Sequence, residues 1–255
     1  MLTSASHLPV IQSRLLTFMR RFTQSNPELI ILYLSHSLDT DNGYVGLSGD
    51  QWSALFSKLR GINHRYTNQN IDSTTDLTNL TLNDFIGSGQ GCVLIIADGA
   101  PDNTLVRNAG FFSPSNFPRY DSYSESPDGQ DMADDQIAKL HGNRNLVLAT
   151  SDRKETFHVL SWTLTPGVAE ILFSSVEFLA TFEAYNRLFW RGYPAFTPAS
   201  YPNVLYMDFY SAYDLMMLRG WSYNQYYERT TLEVLTLVLA VNLDLASSNC
   251  YVADV

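Results

Sequence analysis

The sequence predicts an α/β fold built on a parallel sheet, and three observations carry that expectation. Strands covered on both faces read as unbroken apolar runs rather than alternating ones; Leu29–Leu34 (Leu-Ile-Ile-Leu-Tyr-Leu) and Cys92–Ala97 (Cys-Val-Leu-Ile-Ile-Ala) are such runs. Helical and strand patterns alternate along the chain, as a parallel sheet with crossover helices requires. The third observation is length. The chain has 255 residues, about what a complete eight-stranded barrel takes. Yet the clear strands are Leu29–Leu34, Cys92–Ala97, Phe157–Leu164 and Pro202–Phe209, with Leu146–Ala149 as one further candidate. Either the sheet is small and open, or the chain is the later part of a TIM-like (β/α) barrel, incomplete and lacking its first strands.

Taken in order, residues 8–24 place Leu8, Ile11, Leu15, Leu16, Met19 and Phe22 at helical spacing, and Ser25-Asn-Pro27 ends that helix. The strand Leu29–Leu34 stops abruptly in Ser35, His36, Ser37 and Asp39. Asp41-Asn-Gly43 signals a turn, and Ser48 opens a second helix carrying Trp52, Leu55, Phe56 and Leu59. After a polar linker, Leu80–Ile86 reads as a short helix closed by Gly87 and Gly89, and the strand Cys92–Ala97 leads to Asp98-Gly99. Residues 100–135, with Pro101, Pro114, Pro118 and Pro127, read as one long loop. Asp131–Leu140 is a helix candidate, 168–189 a long helix and 211–219 a shorter one; 231–246 fits both periods and is assigned to helix on length. The expected organisation is a partial barrel over 1–220 with a helix and tail, 221–255, on the same domain.

Composition limits the partners. The net charge is −10, with 26 acidic against 16 basic residues, so general nucleic-acid binding and charge-driven adsorption to anionic lipid are both disfavoured. The longest apolar run, Leu232–Ala246, is interrupted by Glu233, Asn242 and Asp244 and is too short to span a bilayer. Met1–His7 lacks the basic end and apolar stretch of a signal peptide. Cys92 lies in an apolar run and reads as a buried thiol; whether it meets Cys250 is a question of geometry. Asn79-Leu-Thr81 is a glycosylation sequon, relevant only to a secreted chain.

The segments Asn26-Pro-Glu-Leu-Ile-Ile-Leu-Tyr-Leu-Ser-His36, Leu80-Thr-Leu-Asn-Asp-Phe-Ile86, Cys92-Val-Leu-Ile-Ile-Ala97, Ser161-Trp-Thr-Leu-Thr165 and Pro202-Asn-Val-Leu-Tyr-Met-Asp208 occur in that order. Together they resemble the phosphatidylinositol-specific phospholipase C-like phosphodiesterases, whose catalytic domain is an irregular TIM-like barrel. The resemblance runs from about residue 8 to 217. It implies phosphoric diester hydrolysis of a lipid or inositol-phosphodiester substrate, and an extracellular setting for the complete protein. Members of that family place two acid–base histidines, one in a Pro-Gly-Thr-His-type segment, and a phosphate-binding arginine upstream of the helix matching residues 8–24. This sequence has no such segment, so the resemblance implies an amino-terminally incomplete member with little or no activity. The family's last strand ends in an aspartate that orients a catalytic histidine. Asp208 matches it, and a His–Asp pair of that kind fixes the tautomer and stabilises the imidazolium.

Beside Asp208 as the catalytic candidate, the sequence offers His36, Asp39, Asp98, Trp162 and Thr163 as pocket residues, because they follow or end strands at the face where α/β proteins bind ligands. Each has a plainer reading: a histidine bonded to a neighbouring strand end, turn carboxylates, and core packing for Trp162. Some family members use calcium, but Asp39-Thr-Asp-Asn-Gly43 lacks the distal glutamate of a calcium loop. His64, His141 and His158 show no metal-ligand spacing, and His158, inside a strand, reads as structural. Phe111, Phe112, Phe117 and Tyr120 are candidates for a lipid interface or for a loop folded back on its own domain. Two other functional classes stay open. One is a non-catalytic protein binding an inositol or sugar ligand. The other is a secreted glycosidase barrel using Asp98 and Asp208, which would have to stand about 5–10 Å apart.

Overall fold

The computed structural model describes residues 8–87, 89–146, 154–167, 184–197, 199–208 and 236–243. The chain divides into two compact units, Met1–Pro118 and Arg119–Val255. Each unit holds a three-stranded parallel sheet, so the protein is α/β.

In the first unit, α1 (Leu8–Ser25) leads to β1 (Leu29–Leu34), a hairpin of β2 (Leu38–Asp39) and β3 (Val45–Gly46), α2 (Gly49–Leu59), α3 (Leu82–Ile86), β4 (Cys92–Ala97) and β5 (Phe111–Phe112). The sheet order is β1-β4-β5, with Leu29 beside Cys92 and Leu34 beside Ala97. All six residues of β4 are buried, as an unbroken apolar run in a central strand requires. The same expectation for β1 needs correction. Its six residues are only half-buried, because β1 is an outermost strand of the sheet. Helix α2 begins where the sequence places it: Ser48 Oγ accepts from Gln51 N at 3.3 Å while Gln51 Oε1 accepts from Ser48 N at 2.8 Å, a reciprocal capping box. Its buried stripe, Trp52, Phe56 and Leu59, packs with Met19 of α1 against Val93, Ile95 and Ala97 of β4. Gly91 makes the approach to α1 possible, since a Cβ there would lie 2.5 Å from Asn26 O and 2.8 Å from Thr23 Cα.

Residues 100–135 are not one irregular loop. Phe111 and Phe112 form β5 against Ile95 and Ile96 and are fully buried, with Phe117 at 3% exposure. These rings are core, and the lipid-interface reading of them is withdrawn. Asn116, also fully buried, ties two loops of this unit together. Its Nδ2 donates to Asp72 O (2.7 Å) and Thr75 O (2.9 Å), and its Oδ1 accepts from Arg107 Nε at 3.1 Å.

The second unit comprises β6 (Arg119–Asp121), α4 (Gly129–Asn143), an antiparallel pair β7 (Arg144–Asn145) and β8 (Lys154–Glu155), β9 (Phe157–Ser161), a helical run from Ala184 through a π turn Leu188–Gly192 to Ala195, and β10 (Val204–Tyr206). The sheet order is β10-β9-β6. Asp128 caps α4, accepting from Gln130 N (2.7 Å) and Asp131 N (3.0 Å). Met132, Ala133 and Leu140 of α4 pack with Leu160, Trp162, Leu164, Ala184, Leu188 and Leu237, the last from a helix over 236–243.

Two strands are shorter than the sequence suggests. β9 ends at Ser161; Trp162 N still donates across to Tyr206 O at 2.8 Å, and the chain turns back at Thr163, whose N donates to Ser161 O at 2.8 Å. β10 begins only at Val204; before it, His158 N is taken by the Asn203 side chain, Oδ1 at 2.9 Å, in place of a backbone carbonyl. The strand candidate Leu146–Ala149 lies, beyond Leu146, outside the described residues, as do most of the expected helix 168–189, all of 211–219, most of the 221–255 tail, and Cys250. Among the described residues no helix is long and apolar enough to cross a membrane.

Candidate functional site

Parallel strands gather their carboxyl ends at one edge of a sheet, and both sheets here end in polar groups. In the first unit Asp98 N donates to Leu34 O at 2.9 Å, so Asp98 follows β4 directly beside the end of β1. His36 is exposed, adopts a left-handed φ of 51° and holds Ser35 Oγ at 3.2 Å from its Nδ1. Asp39 is engaged locally. One carboxylate oxygen accepts from Asp41 N at 3.1 Å and the other from Gln51 Nε2 at 2.7 Å, so it caps the hairpin turn and ties it to α2. The Asp39–Asp41 stretch is a capped turn. Among the described residues no group of three or more His, Cys, Asp or Glu is placed to hold a metal ion.

The richer constellation is in the second unit. Register places Asp121 beside Val159, Val204 also beside Val159, and Tyr206 beside Ser161. Residues paired in this way share one face of a sheet, and side chains alternate between faces along each strand. Leu160 and Trp162 therefore point into the apolar cluster, while Ser161 is presented on the opposite face with Asp121 and Tyr206. On that face Ser161 Oγ donates to Asp121 Oδ1 at 2.7 Å, and Arg119 Nη2 stands 3.2 Å from Asp121 Oδ2. Ser161 N donates to Gln136 Oε1 at 3.1 Å, and Gln136 Nε2 donates to Ser122 O at 2.8 Å. Tyr206 Oη donates to Asp208 Oδ1 at 3.0 Å, and Tyr123 meets the Tyr206 ring edge-on, 6.3 Å between centroids. Burial first, and then the Asp208 carboxylate beside it, push the Tyr206 phenol up to about 12. It therefore remains a proton donor to Asp208 at any physiological pH.

Asp208 thus sits at the end of β10, as the sequence predicts, and its described partner is a tyrosine of its own strand. The unit's two described histidines stand elsewhere. His141 is exposed on α4, 3.5 Å from Ala195 O. His158, fully buried, lies within β9 on the face of Leu160 and Trp162. Trp162 is core: it is fully buried and its Nε1 donates to Ala184 O at 2.7 Å. Thr163 is buried at 2% exposure. Arg119, Asp121, Ser161 and Tyr206 were not singled out by sequence reasoning. The available signal was the alternation Arg119-Tyr-Asp121 after Pro118, hidden inside a segment whose prolines read as loop.

No protein-family model matches the chain, and neither a curated protein nor a solved structure matches it.

Proposed function

We propose that this protein is of the phospholipase C-like phosphodiesterase type, with a TIM-like barrel as its parent architecture. In our reading, the residues of this chain bind a phosphodiester or inositol-phosphate-like ligand without cleaving it. The observation that carries the reading is the pairing of Asp208 with Tyr206 at the end of β10, on the face that also holds the Arg119–Asp121–Ser161 cluster. Parallel strands in sequence order within each sheet support the architecture. Carboxylates, hydroxyls and a guanidinium at strand ends are the groups that hold sugar hydroxyls and phosphate oxygens.

Cleavage requires a general base and a general acid within hydrogen-bond reach of the reacting oxygens. His158 is set apart by its face and its burial, and the Asp208 carboxylate is already engaged by the Tyr206 phenol. The test is phosphodiester turnover by the purified chain, using phosphatidylinositol in mixed micelles and a chromogenic inositol phosphodiester. No turnover above an inert control is expected. Turnover that disappears in Asp208→Ala would overturn the non-cleaving part of the proposal.

A further inference from the structure

The second unit contains a titratable group that the strand-end cluster does not use. His158, the second residue of β9, the central strand, is fully buried, and neither ring nitrogen has a hydrogen-bond partner among the described residues. Buried polar groups almost always find partners, so an imidazole without any requires a reason. Its surroundings are specific. From β6, the Tyr120 ring stacks on it at 5.4 Å with planes 12° apart. Its own backbone is pinned to the segment before β10, His158 N donating to Asn203 Oδ1 and Asn203 N donating to His158 O. Arg144, at the end of α4, contributes a cation, itself stacked over Tyr201 at 5.0 Å. Asp121 contributes an opposing carboxylate.

We propose that His158 is an acid-sensitive latch: neutral, it stacks on Tyr120 and lets β9 hold β6 and β10 together; protonated, it forces these strands apart and dismantles the Asp121–Ser161 pair that joins β6 to β9. The chemistry is proton binding alone. A buried imidazolium without an acceptor, facing Arg144, is disfavoured on both solvation and charge. Burial first, and Arg144 second, push the His158 pKa down from 6.5 to about 4, with Asp121 opposing. Between those values the unfolded or opened chain binds more protons than the closed one. Stability is therefore full above pH 6.5, falls as the pH drops through that window, and levels off below about 4. Backbone N–H bonds hold Asp128 below the usual carboxylate range, and a Gln130 bond does the same for Asp134, so both weaken the fold only at still lower pH.

The test uses the intact chain. The histidine ring and Trp162 indole resonances are followed by NMR, with near-ultraviolet circular dichroism, from pH 7.5 to 4. The latch predicts that the His158 ring stays neutral until the Trp162 environment collapses, with a midpoint between 6.5 and 4. It also predicts that His158→Phe, which keeps a stacking ring and cannot be protonated, lowers that midpoint by about one pH unit or more. A His158 ring that titrates reversibly near 6.5 with the Trp162 signal unchanged overturns the proposal, as does an unchanged midpoint in His158→Phe. If that variant fails to fold at neutral pH, the wild-type titration decides alone.

Discussion

Trp162→Phe separates a core residue from a pocket residue at the end of β9. The indole is fully buried and its N–H donates to Ala184 O at 2.7 Å. Its ring edge lies against the π turn, where even a methyl group on Gly192 would approach Trp162 Cη2 to 3.2 Å. Phenylalanine keeps an aromatic ring but loses the N–H, leaving the Ala184 carbonyl without that donor; the net loss is about 1 kcal/mol. The vacated benzo portion adds about 2 kcal/mol through lost transfer energy and an incompletely collapsed cavity. The expected destabilisation is about 3 kcal/mol. It would be read as a lowered urea midpoint in near-ultraviolet circular dichroism, with far-ultraviolet signal as a second probe because a two-unit chain need not unfold in one step. Ligand affinity of the folded variant should be unchanged. A variant as stable as wild type but weakened in binding inositol phosphate would return Trp162 to the pocket and refute the core assignment.

Other perturbations have equally definite outcomes. Asn116→Ala removes the donor to two carbonyls and the acceptor of the Arg107 guanidinium, and should cost about 3–4 kcal/mol in urea unfolding; a loss below about 1 kcal/mol would mean that water replaces the bonds. Gly91→Ala pushes a methyl group to within 2.5 Å of Asn26 O, so α1 must move off β4. The variant should show a lowered thermal midpoint and faster amide exchange in Cys92–Ala97, and wild-type exchange there would contradict the close packing. Burial pushes the Cys92 thiol up to about 11, so its peptide should escape iodoacetamide in the native protein and label fully in urea. Rapid native labelling would show that β4 is accessible.

How much of this was legible in the sequence depended on how local each signal is. Cys92–Ala97 carries its own evidence, an unbroken apolar run, and became the buried central strand. Ser48 and Gln51 announce a helix start within four residues, and the capping box formed there. Leu29–Leu34 has the same look as Cys92–Ala97, but whether a strand is central or outermost is decided by neighbours that the run itself does not encode. The two-residue β5 and three-residue β6 are below the length at which periodicity speaks; they are strands only because Ile95 and Ile96, or Phe157 to Val159, lie alongside.

The candidate site divides along the same line. Asp208 could be nominated because it follows an apolar strand; Asp98 was nominated for the same reason but belongs to the first unit. Asp121 and Ser161 acquire meaning only through their 2.7 Å contact across two strands. Strand periodicity alone separates neighbours such as Ser161 and Trp162 onto opposite faces without saying which face is core. Tyr206 was read only as part of a strand, and its bond to Asp208 depends on the chain turning just after β10.

The most direct measurement is calorimetric titration of myo-inositol 1-phosphate into the intact chain and into Asp208→Ala and Asp121→Ala. Saturable binding to wild type that weakens at least tenfold in each variant, about 1.4 kcal/mol, is the result the account predicts. No binding to wild type, or binding indifferent to both substitutions, would contradict the assignment of the strand-end face as the ligand site.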